Sequence, residues 1–173
     1  MADDAPCPQE DELVSRPPRE ADLVAICKRL NELGARYLVC GGFAIMQAGY
    51  PRFTGDIDLL VDASAENESK IFAALEILPD GAIRELDAGD LEKFGVCRVA
   101  DEVLVDLMAS ASGIAYTDAA GEVVTRKVQG VEIPFASPAL LWRMKSRSHR
   151  EKDRLDVMFL RQLFEREGIL PPG

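Results

Sequence analysis

The chain has 173 residues, is 47% hydrophobic and has a mean hydropathy of −0.03, enough to bury the core of one domain. No apolar run approaches the roughly 20 residues of a membrane-spanning helix, and the N-terminus has neither the basic nor the apolar region of a signal peptide, so a cytoplasmic location is expected. The net charge of −10 argues against a general nucleic-acid-binding module, although it leaves room for a local basic groove.

Residues 1–19 are rich in Asp, Glu and Pro and read as an acidic, flexible arm, with the folded domain expected over 20–168. Apolar residues recur at helical spacing from Glu20 to Leu33, with Gly34 as the stop. A short apolar strand follows over 36–40, then Gly41-Gly42, a brief helix over 43–48 and a loop holding Arg52 and Thr54. Asp56–Val61 reads as a second strand and 65–78 as an amphipathic helix. The segment 81–94 reads as irregular, with at least one helical turn. Strands over 95–99 and 103–108 form an antiparallel hairpin, and two more strands cover 123–128 and 131–135. Ser137-Pro138 is a helix start, a capping hydroxyl followed by proline at the first helical position. C-terminal helices therefore begin near 137, the last spanning 152–167. The four cysteines (Cys7, Cys27, Cys40, Cys97) lack the paired spacing of a zinc site. Cys40 and Cys97 read as buried small hydrophobes.

Three carboxylates carry the chemistry. Asp56 and Asp58 are two apart on a strand, so both point to one face, where their repulsion asks for a cation between them. Hard oxygen ligands of this kind suit magnesium, with phosphate completing the shell. The competing reading is a strand-end turn. Asp106 stands inside an apolar strand, where an unpaired carboxylate costs several kcal/mol. Either a metal shared with Asp56 and Asp58 or a salt bridge to Arg98 across the hairpin compensates it. Gly41-Gly42 at a helix start offers free backbone N–H groups to an anion, although a strand-end Gly-Gly is also an ordinary tight turn.

The stretch 143–154 holds six Lys or Arg against two acids, a net of +4 on an acidic chain. Lys145, Arg147, His149, Arg150 and Lys152 either neutralise a triphosphate or grip an acceptor. Alternatively they form a solvated helix end, with Asp153 and Asp156 answering Lys152 and Arg150 as local pairs.

Taken together, Gly41-Gly42-Phe-Ala…Gly49-x-x-Arg52-x-Thr54-x-Asp56-Ile-Asp58-Leu and the later strand Asp106 resemble the DNA polymerase beta-like nucleotidyltransferase superfamily. The segment Lys145…Arg150-x-Lys152-Asp153-x-x-Asp156 resembles the helix ending of its small bacterial toxin-type branch. The resemblance spans about 20–166. It implies an α+β (α/β) fold, a short mixed β-sheet flanked by helices with a helical C-terminus. It also implies magnesium-dependent transfer of a nucleoside monophosphate from an NTP, ATP included, to a hydroxyl acceptor. Carried over by position, Gly41 and Gly42 cradle the triphosphate. Asp56, Asp58 and Asp106 hold two Mg2+ ions and form the catalytic set. Arg52, Thr54, Lys145 and Lys152 are the candidate nucleotide contacts. Elsewhere in the superfamily the second glycine is often serine. The acceptor is an RNA end, a protein or a small molecule, and an antitoxin is a candidate partner. A non-catalytic nucleotide-binding role and antibiotic modification are the alternatives, and the oligomeric state is open.

Overall fold

The computed structural model describes residues 14–173, so the arm through residue 13, with Cys7, lies outside the described residues. Residues 14–19 run extended along the domain. The Ser15 hydroxyl donates to the Asp101 carbonyl at 2.6 Å, and Arg16 grips Asp22 through two 2.8 Å hydrogen bonds.

In chain order the elements are α1 (Glu20–Glu32), β1 (Tyr37–Cys40), α2 (Gly41–Gln47), β2 (Asp56–Val61) and α3 (Ala65–Leu75). After a 3-10 turn at Ala82–Glu85 come α4 (Asp90–Phe94), β3 (Val96–Ala100), β4 (Leu104–Met108), β5 (Ser110–Ala111) and β6 (Ile114–Ala115). The chain closes with α5 (Tyr116–Ala119), β7 (Val123–Val128), β8 (Val131–Ala136), α6 (Pro138–Lys145) and α7 (Glu151–Glu167).

Six strands form one mixed sheet in the order β3-β4-β2-β1-β8-β7, and β5 pairs with β6 beside it. The 96–108 hairpin is antiparallel, as are β1 with β2 and β7 with β8. The β2–β4 and β1–β8 pairs are parallel. This is the mixed α/β architecture that the sequence resemblance implies. The two central strands explain themselves chemically. All four residues of β1 are buried, as an unbroken apolar run requires, while Ile57 and Leu59 of β2 face the core and alternate with Asp56 and Asp58. Helices α1 and α3 pack together, and the Tyr37 hydroxyl donates to Asn31 of α1 at 2.8 Å. Tyr37 and Cys40 lie on opposite faces of β1, and on the Cys40 side α2 packs against β1, β2 and α6. The apolar core is continuous through both layers.

Local signals behave as their chemistry predicts. The Ser137 hydroxyl accepts the Leu140 N–H at 3.2 Å with Pro138 at the first turn. Cys27, Cys40 and Cys97 are buried free thiols. No helix among the described residues is long and apolar enough to cross a membrane.

Candidate active site

The site begins with strand register. Asp58 pairs with Cys40 on one side and with Asp106 on the other, and Asp106 pairs in turn with Arg98. Register partners share a sheet face, so Cys40, Asp58, Asp106 and Arg98 form one row across four strands. Asp56, two residues before Asp58, stands on the same face. One oxygen from each of Asp56, Asp58 and Asp106 lies within 4.8 Å of the others. The structure thus brings together the three carboxylates that the sequence singled out.

Of the two alternatives left open for Asp106, the structure shows the salt bridge to Arg98, with the other two acids beside it. Arg98 Nε and Nη2 each donate to an Asp106 oxygen at 2.8 Å, and Nη2 also reaches Asp56 at 3.3 Å. One guanidinium does not balance three acids. Burial, with help from Asp56 and Asp106, pushes the Asp58 carboxyl up to about 7, and Lys152 only partly opposes this. A convergent set of hard oxygens with surplus negative charge fits a divalent cation of the magnesium type.

The glycine pair makes room for this row. Gly41 has φ of +64°, and a Cβ there would lie 2.7 Å from Asp58 Cγ. A Cβ on Gly42 would lie 2.5 Å from the Thr54 hydroxyl oxygen. Helix α2 starts at Gly41, two residues earlier than its apolar pattern predicts, and the left-handed φ of Gly41 makes the turn from β1 into it. Thr54 is buried and donates to the Asp56 carbonyl at 3.1 Å, which steadies the entry into β2.

Asp56 and Asp58 open into a cavity of about 750 Å³ whose walls include Gly41, Gly42, Arg52, Thr54, Lys145 and Lys152. All six candidate nucleotide contacts therefore line one space. Two of the cations are already engaged, in pairs other than the local ones that sequence spacing offers. Asp156 is fully buried and meets Arg52 Nε at 2.8 Å and Lys145 Nζ at 3.0 Å. Asp153 takes Lys145 at 2.8 Å and the Ser148 hydroxyl at 2.6 Å. Burial opposes ionisation of Asp153, but these two hydrogen bonds outweigh it and hold the carboxyl below the ordinary range. Arg147, Arg150 and Lys152 also line the cavity and pair with no carboxylate among the described residues.

Sequence reading missed the wall formed by Ser110–Ser112, on the β5–β6 turn, with Val96 and Met108 beside it. The Ser112 hydroxyl donates to the Met144 carbonyl at 2.6 Å, tying that turn to α6. Elements of two to four residues carry no period, so only the short Ser-Ala-Ser-Gly cluster marks the place.

No protein-family model matches the sequence, and no curated protein matches it. Solved structures do. A lincosamide antibiotic adenylyltransferase, LnuA, in its lincomycin-bound form, matches with a TM-score of 0.54 and 15% identity over 86% of this chain and 99% of that one. A candidate nucleotidyltransferase from Thermotoga maritima matches with a TM-score of 0.46 and 17% identity, covering 84% and 86% of the two chains. An antigenic nucleotidyltransferase-like protein from Paracoccidioides brasiliensis gives 0.47 and 20%, covering 82% and 74%. At these identities the likeness speaks to architecture: the chain has a nucleotidyltransferase-like fold.

Proposed function

We propose that the protein transfers a nucleoside monophosphate from an NTP to a hydroxyl acceptor. The observation that carries this reading is the convergence of Asp56, Asp58 and Asp106, the first two lining a cavity that Arg52, Lys145, Arg147, Arg150 and Lys152 also line. In the reaction the acceptor oxygen attacks the α-phosphorus, the bond to the bridging oxygen breaks, and pyrophosphate leaves. Asp106 orients the acceptor hydroxyl and receives its proton. Arg52 and Lys145, each fixed by Asp156, present positive charge to the triphosphate with little loss of side-chain freedom. Lys152, Arg147 and Arg150 supply further charge, and Gly41 and Gly42 let the phosphates approach the start of α2. Mg2+ held by the three carboxylates would acidify the acceptor hydroxyl and offset charge on the leaving pyrophosphate.

The proposed acceptor is an RNA end, a protein or a small molecule, and the proposed setting is a toxin role with a partner antitoxin. A chain of this size is compatible with a small-molecule acceptor, since the lincomycin-bound neighbour is matched over 99% of its own length. The test is incubation with each α-labelled NTP and Mg2+ together with total RNA, lysate protein or a panel of lincosamides. Label is expected in one acceptor class and lost in Asp58→Asn. Absence of both labelled product and nucleotide binding would sink the proposal. Growth arrest on expression, relieved by a neighbouring gene product, is the expected sign of the toxin role.

A further inference from the structure

Resting on that reading, we infer that Arg98 is a positioning residue that occupies the acid cluster in place of a divalent cation, so that the cation is taken up together with nucleotide and not by the protein alone. Three observations carry this.

Register comes first. Arg98 is the fourth member of the row Cys40, Asp58, Asp106, Arg98, so the β3–β4 ladder aims it at the carboxylates. A side chain placed by backbone pairing sits on that face whatever its rotamer.

The second is how many donors it consumes. Its fork takes both oxygens of Asp106 at 2.8 Å and one oxygen of Asp56 at 3.3 Å. What Arg98 leaves unshared is Asp58 and the other oxygen of Asp56, while Asp106 offers a metal only its remaining lone pairs beside a cation. A Mg2+-like ion wants about six oxygens in near-octahedral array, so that remainder is a poor chelate. A triphosphate supplies further oxygens and, being an anion, gives the released guanidinium a new partner.

The third is a contrast in anchoring. Arg52 and Lys145 are held by the fully buried Asp156, with side chains 23% and 11% exposed. Arg98 is 54% exposed and, among the described residues, pairs only with Asp106 and Asp56. It leaves the cluster without unpacking any core residue.

The measurement is Mn2+ binding, read from the loss of the free-ion electron paramagnetic resonance signal, with and without a non-hydrolysable NTP analogue. Wild type is expected to bind Mn2+ weakly alone and more tightly with the analogue. Arg98→Gln is expected to tighten binding of Mn2+ alone on the order of tenfold, the repulsion between a single and a double charge about 5 Å apart at solvent-like dielectric. Arg98→Lys keeps the charge and is expected to stay near wild type. In an Asp106→Asn background the gain from Arg98→Gln shrinks, because the fork has lost its main partner. A role confined to stabilising the hairpin would lower the melting temperature of Arg98→Gln and leave its affinity for Mn2+ alone unchanged. That result, or weaker binding, overturns this inference while nucleotide-supported Mn2+ binding by wild type keeps the functional reading. No Mn2+ binding by any of these proteins, with the analogue present, overturns both.

Discussion

Two sides of the site solve opposite electrostatic problems. On the sheet, backbone ladders align three acids against one exposed arginine, and burial together with the neighbouring acids raises Asp58 to about 7. Across the cavity, α6, α7 and the Arg52 loop meet through buried pairs in which Asp153 and Asp156 hold Lys145 and Arg52. The first wall is under-neutralised and ready for a cation from outside. In the second, Arg52 and Lys145 already have buried partners that fix them in place. Removing one carboxylate should therefore do opposite things on the two sides.

The largest expected effect is on the satisfied wall. Asp156→Ala leaves two cations facing each other without their buried partner and should cost about 3–5 kcal/mol, read by chemical denaturation. An unchanged midpoint would show that the pairs merely decorate the interface between α6 and α7. Next, Asp58→Asn should lower nucleotidyl transfer at least about 100-fold, by loss of a metal ligand, while the melting temperature holds or rises. A clear loss of stability would mean that Asp58 is structural. Gly41→Ala should destabilise by roughly 1–3 kcal/mol, because its positive φ is strained for any side chain and the new methyl meets Asp58. Transfer should fall with it, as Asp58 is pushed out of the row. A variant with full activity and wild-type stability would show that this close approach is unimportant.

The smallest effect is on pH dependence, and it has a different sign on each wall. Asp58 ionises less readily folded than unfolded, so its contribution is fully present below about pH 4 and is lost as pH rises through about 7. Asp153 ionises more readily when folded, so its contribution is present above the ordinary carboxylate range and is lost on acidification below it. In EDTA the melting temperature should rise from pH 8 to pH 5 and fall again below pH 4. Asp58→Asn should flatten the upper slope alone. A slope unchanged in that variant would assign it to another group.

The same contrast marks what could be read before the structure. The acid wall follows from alternation and hairpin register. Asp56–Val61 reads as a strand because Ile57 and Leu59 alternate with two acids, and the tight connection at 101–103 sets Arg98 opposite Asp106. The basic wall did not yield to the same logic. Spacing along α7 offers Arg150 and Lys152 as partners for Asp156 and Asp153. Asp156 instead faces inward, where it meets a loop residue 104 positions away. Charge spacing along one helix does not tell which face is buried, and burial decides the partner. The β5–β6 turn escaped for another reason, having too few residues to show a period.

Gly42 and Thr54 have a consequence for how this site varies. A Cβ at position 42 and the Thr54 hydroxyl claim the same few cubic ångströms, so the two positions share room for one side chain between them. A hydroxyl is carried there by the loop, in Thr54, and serine at 42 would meet the Thr54 Cβ at 2.6 Å as well as that hydroxyl, so only glycine at 54 would admit it. Position 42 is therefore not an independent choice, and a Gly42→Ser change tested alone reports on crowding as much as on phosphate binding. Paired with Thr54→Gly, which removes the Cβ as well as the hydroxyl, it relocates an oxygen from loop to helix into cleared space.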